Sequence, residues 1–127
     1  CHPDNATYHY NLAVILGVLG KRDEAVVEYR LTLQLNPNDV ESHNNLAFIM
    51  LDRGDIESAR PLLVRALELN PNYAPAHFNL GRVYHAMGRW SDARQSLETA
   101  KRTDPNYTPY VNELLANEPR DVRPTLP

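Results

Sequence analysis

Cysteine is almost missing from this chain. The single cysteine, Cys1, has nothing to pair with, which excludes an internal disulfide framework and a cysteine metal site. Long apolar runs are missing too. The stretches Tyr10–Leu19 and Leu46–Leu51 are short and broken by polar or small residues, so the sequence holds no membrane-spanning segment. Nor is there an excess of either charge. Thirteen basic residues are interspersed with sixteen acidic ones for a net charge of −3, and no basic stripe forms. That balance argues against nucleic acid as a principal partner. Catalytic signatures are absent as well: no glycine-rich phosphate loop, no Gly-x-Ser-x-Gly elbow and no His-Glu-x-x-His helix occur, and no enzyme activity is expected.

What the chain does have is order. Pro3, Pro37, Pro71 and Pro105 recur at an interval of 34 residues, and in step with them come Gly20, Gly54 and Gly88, Ala25, Ala59 and Ala93, and Leu12, Leu46 and Leu80. Asn11, Asn45 and Asn79 keep the same interval, as do His9, His43 and His77. A fixed period of this size marks a repeat array, whose usual business is to hold other molecules.

Each register has a physical task. Apolar residues at helical spacing predict helices over 6–19, 40–53 and 74–87, and partner helices over 22–35, 56–69 and 90–103. The glycines follow the first helix of each pair, where a left-handed residue closes a helix without a Cβ penalty. Asp23, Asp55 and Ser91 or Asp92 are expected to cap the second helices. The small alanines let the two helices approach closely. Asn36-Pro37-Asn38, Asn70-Pro71-Asn72 and Asp104-Pro105-Asn106 then end each pair, because proline has no amide with which to continue. A final short helix is predicted over 108–116, carrying Val111, Leu114 and Leu115, and Pro119 ends it.

At this point the chain resembles the tetratricopeptide repeat family over about residues 6–105. The family pattern sets Trp, Leu, Gly and Tyr on the first helix, Ala and Phe on the second, then Pro. The third repeat reads His77, Leu80, Gly81, Tyr84, Ala93, Leu97 and Pro105, with His for Trp as the systematic departure. The resemblance implies an all-α, right-handed superhelical solenoid of three helix-turn-helix repeats (6–39, 40–73 and 74–107) with a capping helix over 108–117. Residues 1–5 are expected to close a preceding repeat, because Pro3 stands in register. The Pro-rich segment 118–127 is read as an extended tail that serves as a linker, lies against its own domain, or self-associates in a neighbouring molecule's groove.

The three histidines invite a zinc reading. Equivalent positions on stacked repeats lie roughly 8–10 Å apart, whereas ligands of one zinc sit about 2 Å from it. They are therefore expected to pack, with no metal and no cofactor. The asparagine row is different, since each Asn is turned about 100° from the neighbouring Leu. In the family's geometry that direction faces a concave groove, where amides can bind a ligand's backbone. The resemblance then places Tyr10, Asn11 and Val14 in the groove from the first repeat. The second adds Asn44, Asn45 and Phe48, and the third adds Phe78, Asn79, Arg82 and His85. The aromatic residues would anchor side chains and Arg82 would take a carboxylate. Family members that grip a C-terminal carboxylate use Lys, Asn, Asn, Lys and Arg where this chain has Tyr10, Val14, Asn45, Pro75 and Asn79, so an acidic chaperone tail is not the expected ligand.

The expected function is protein–protein interaction, with a peptide or extended protein segment in the groove of a scaffold or adaptor. The alternatives are a substrate-recognition arm of a larger enzyme such as a protein O-glycosyltransferase, or a lipid-anchored assembly factor. A piece of a longer cytoplasmic protein is the first expectation. A lipid-anchored periplasmic location follows instead if Cys1 is a mature lipoprotein N-terminus.

Overall fold

The computed structural model describes residues 5–117. Cys1, Pro3 and the Pro-rich tail lie outside the described residues. Helices α1 (Asn5–Val18), α2 (Arg22–Leu35), α3 (Val40–Asp52), α4 (Ile56–Leu69), α5 (Ala74–Ala86), α6 (Trp90–Thr103) and α7 (Thr108–Ala116) follow one another, with a 3-10 turn at Pro105–Tyr107. Among the described residues there is no strand, and the fold is all-α. The first six helices match the segments expected from apolar spacing to within a residue at either end.

The local punctuation explains that agreement. Gly20, Gly54 and Gly88 have φ of 81°, 80° and 75°. At the first, Lys21 N–H bonds Leu16 C=O at 2.8 Å and Gly20 N–H bonds Gly17 C=O at 3.1 Å. This is the six-to-one, five-to-two pattern that satisfies the last carbonyls of a helix. Asp55 to Met50 and Arg89 to Tyr84 repeat it at 2.8 and 2.9 Å. At the other end of each pair the backbone turns extended at Asn36, Asn70 and Asp104, with φ of −138°, −143° and −140°.

The expected caps need correction. Only Asp55 caps its helix, accepting from Ser58 N–H at 3.2 Å. The corresponding cap positions hold Lys21 and Arg89, neither of which makes a side-chain cap bond. Asp23 and Asp92 lie in the first turns instead. There a negative charge still favours the positive end of the helix dipole. The register running through Asp55 contains Lys21 and Arg89, not Asp23 and Asp92, and that offset is the reason.

The described residues fall into two compact units that divide between Pro71 and Asn72, the first with α1 to α4 and the second with α5 to α7. In the first unit α1 packs on α2, α3 on α4, and α2 on α3. Ala13, Ala25 and Tyr29 are buried in the first pair, and Ala47, Ala59 and Leu63 hold the same registers in the second. Burying a leucine such as Leu63 is worth about 1.5–3 kcal/mol. Two crossed ion pairs tie the start of α2 to the end of α3: Arg22 with Asp52 at 3.1 Å, and Arg53 with Asp23. Each pair has at least one partner well exposed to water, so each adds about 0–1 kcal/mol.

The α1 face differs from its counterpart on α3. Tyr8 and Ile15 are 58% and 54% exposed, whereas Ser42 and Ile49, in the same registers, are 0% and 5% exposed. The reason is that α2 covers α3, and no described helix covers that side of α1. Leu12 is for the same reason only half-buried where Leu46 is buried.

In the second unit, α5 and α6 pack so tightly that Gly81 has no room for a side chain. A Cβ there would lie 2.5 Å from Leu97 Cδ2 and 2.6 Å from its Cγ. Helix α7 starts 34 residues after α5 and repeats its opening, with Pro109 matching Pro75 and Leu114 matching Leu80. It packs on α6 and buries Val111 completely.

Candidate functional site

The residues expected to face a ligand fall on the first helices, so each unit presents its own share. In the first unit α1 supplies Tyr10, Asn11 and Val14, and α3 supplies Asn44, Asn45 and Phe48. Tyr10 ties the two helices, its hydroxyl donating to Glu41 Oε2 at 2.5 Å. Its ring stands edge-on to Tyr29 at 6.2 Å. Tyr10 also borders a hollow of about 140 Å³ with Thr7, Asn36, Asp39 and Glu41. Asp39 and Glu41 make this hollow acidic.

The asparagines do not form an even row. Asn11 is exposed and Asn45 half-buried. The Asn45 amide donates to the hydroxyl of Tyr29, and its oxygen accepts from Asn44 Nδ2 at 3.4 Å. Asn44 is itself only 5% exposed. Burial pushes the Tyr29 phenol above its usual range, against the lowering effect of the Asn45 bond, and the carboxylates of Asp39 and Glu41 add to the rise. Asn45 thus acts first as a strut between α2 and α3. Phe48 is the opposite case. It is 44% exposed on a helix where Leu46, Ala47, Ile49 and Met50 are all buried.

In the second unit α5 carries Phe78, Asn79, Arg82 and His85. Asn79 is 5% exposed. Its oxygen accepts from Arg82 Nη1 at 3.3 Å, so this guanidinium is already engaged. His85 packs edge-on to Trp90 at 4.9 Å, and its Nε2 is buried without a hydrogen-bond partner. Phe78 lies 5.2 Å from Tyr107 and 6.3 Å from Tyr110. These two tyrosines, on the 3-10 turn and α7, were not among the residues expected to bind. The signal that marks them in the sequence is position, since Tyr110 repeats the register of Tyr8.

Two of the recurring histidines, His9 and His43, make contacts within the fold. His9 Nδ1 pairs with Glu28 Oε1 at 2.6 Å across α1 and α2. His43 Nε2 donates to the carbonyl of Pro37 at 2.9 Å, bracing the turn before α3. A larger hollow of about 620 Å³ lies elsewhere in the first unit, between α2 and α4 above Leu46 and Met50. Arg30, Leu62 and Arg65 border it, and none of the residues expected to face a ligand does.

Helix pairs closed by glycine, with small residues at their contact and an Asn-Pro or Asp-Pro end, define the class: a helical repeat protein. Models of the tetratricopeptide repeat match residues 6–39, 28–60 and 50–118. The chain belongs to the tetratricopeptide repeat family. No curated protein matches it. Repeats of this family are in general protein–protein interaction modules. Among the described residues, no helix is long and apolar enough to cross a membrane.

Proposed function

We propose that this chain is a scaffold or adaptor module that binds a peptide or an extended protein segment along the face of its first helices. Phe48 carries the reading. A large aromatic side chain left 44% exposed amid buried neighbours is available to anchor a ligand. Tyr10 and the acidic hollow beside it supply polar contacts one helix away, suited to a donor-bearing or basic ligand side chain. Asn11 is exposed and so open to a ligand's backbone, while Asn45 braces the α2–α3 junction through Tyr29. In the second unit, taken by itself, Phe78 offers an aromatic contact of the same kind. The division into repeats at 6–39, 40–73 and 74–107 belongs to this reading, and the exposed Tyr8–Ile15 face supports a further helix packing ahead of α1.

The test uses peptides selected on the intact chain from a displayed random library. The double variant Asn45→Ala, Phe48→Ala should weaken the selected peptides by roughly tenfold or more while the helical circular dichroism is unchanged. Undiminished affinity in that variant places the binding surface elsewhere. A substrate-recognition arm of a larger enzyme, built on an even asparagine rail, draws less support, because Asn45 is engaged with Tyr29 and Asn79 is buried.

A further inference from the structure

Three aromatic rings meet on one surface of the second unit. Phe78 of α5, Tyr107 of the 3-10 turn and Tyr110 of α7 are mutually 5.2, 6.3 and 6.4 Å apart between ring centres. Such spacing is within the range of favourable edge and offset contacts. Packing alone does not account for the cluster. Tyr110 is 59% exposed, so most of its ring faces solvent rather than protein. Among the described residues neither the Tyr107 nor the Tyr110 hydroxyl has a hydrogen-bond partner. Burial, and then the nearby Asp104 carboxylate, raise the Tyr107 phenol above its usual range.

The surface therefore offers flat apolar ring faces and two free phenol donors. The complementary ligand carries apolar rings, unpaired carbonyl acceptors and few donors of its own. A polyproline II segment has that character: its carbonyls make no internal hydrogen bonds, and proline has no backbone N–H. It is also held extended in advance, so binding orders little chain. Two carboxylates flank the tyrosines: Asp104 acts on Tyr107, and Glu113 stands one helical turn beyond Tyr110. Arg82, one turn beyond Phe78, keeps its positive charge while donating to Asn79, so the ligand's basic residue belongs at the Tyr107–Tyr110 end.

We propose that the Phe78–Tyr107–Tyr110 cluster is a docking site for a proline-rich segment of a protein partner, flanked by a basic residue. The proposal rests on the reading of this module as a peptide binder only in taking Phe78 to face the ligand.

The probe is a synthetic oligoproline peptide with arginine at each end, titrated into the intact chain by fluorescence anisotropy. An alanine–glycine peptide with the same ends is the comparison. The oligoproline should bind, and the comparison peptide should bind at least about tenfold more weakly. Tyr110→Ala, at an exposed position, should weaken the oligoproline roughly tenfold. Tyr107→Phe, which removes only a hydroxyl, should weaken it about three- to tenfold. Two results overturn the proposal: equal affinity for both peptides, or unchanged affinity in Tyr110→Ala with helicity intact. The double variant Asn45→Ala, Phe48→Ala separates the two claims. If the library-selected peptides depend on Asn45 and Phe48 while the oligoproline does not bind, the aromatic docking site is wrong and the peptide-binding module stands.

Discussion

Replacing glycine by alanine should have three different outcomes at three places in this chain. Gly17 lies in α1 with no heavy atom within 4 Å of a built Cβ. Alanine there gains helix propensity and restricts the unfolded chain, for about 0.5–1 kcal/mol of added stability. Gly54 also has open space, but its φ of +80° puts an L side chain in the left-handed region. The cost there is about 1–2 kcal/mol, from the backbone alone. Gly81 has an ordinary helical backbone, and helix propensity alone predicts a gain of about 1 kcal/mol from alanine. Its Cβ would instead meet Leu97 Cδ2 and Cγ at 2.5 and 2.6 Å, with Leu97 N at 3.4 Å. Leu97 is completely buried, so it cannot swing aside into solvent. Overpacking of this kind costs about 1–3 kcal/mol. The net for Gly81→Ala is a loss of up to about 2 kcal/mol, or up to several degrees of melting temperature, where Gly17→Ala gains. Thermal and urea unfolding followed by circular dichroism would read all three. Adding Leu97→Val to Gly81→Ala should recover part of the loss by shortening the obstructing side chain. If Gly81→Ala stabilises the chain as Gly17→Ala does, the close approach of α5 and α6 is wrong.

Other expectations follow from the buried registers and the perturbed groups. Leu63→Ala removes a fully buried side chain between α3 and α4 and should cost about 2–5 kcal/mol by urea unfolding. The Tyr29 phenol is raised in the folded chain, so stability should be full below its ordinary value of about 10 and fall as the pH climbs through the folded one. Tyr29→Phe should remove that part of the alkaline decline, while losing about 0.5–1.5 kcal/mol at neutral pH for the bond to Asn45. Asp55 behaves in the opposite sense. Its bonds from Ser58 lower its carboxyl, so its contribution is present above about pH 4 and is lost as the pH falls through the folded value. Asp55→Asn keeps a cap acceptor and should flatten that part of the acid limb in a pH series of melting curves.

Much of the fold was legible because each helix boundary has its own chemical mark. Gly20, Gly54 and Gly88 close three helices at positive φ, and the Asn-Pro or Asp-Pro ends close the others. A period of 34 then shows the same solution several times over. The caps were misread because an acidic residue near a helix start looks alike at the cap and in the first turn. The 34-residue register separates them, since Asp55 stands in step with Lys21 and Arg89 and not with Asp23 or Asp92.

The candidate site was less legible. Register tells which way a side chain leaves its helix, and it placed Phe48 and Tyr10 on an accessible face. It cannot tell what that side chain meets. Asn11, Asn45 and Asn79 share a register, yet one is exposed, one is held by Tyr29 and one is buried. The difference arises from the neighbours each finds, such as Tyr29 beneath Asn45 and Arg82 beside Asn79. The Phe78–Tyr107–Tyr110 cluster escaped for a related reason: it joins residues from three elements whose proximity appears only once α7 packs on α6.

The central claim is that ligands lie on the first-helix face and not in the larger hollow between α2 and α4. A photo-reactive phenylalanine analogue placed at Phe48 in one protein and at Leu62 in another tests it directly. Leu62 borders the larger hollow, and Phe48 lies on the first-helix face. With a library-selected peptide bound, irradiation should crosslink it from position 48 and not from position 62. Crosslinking from position 62 alone would contradict the account and move the binding surface to the second helices.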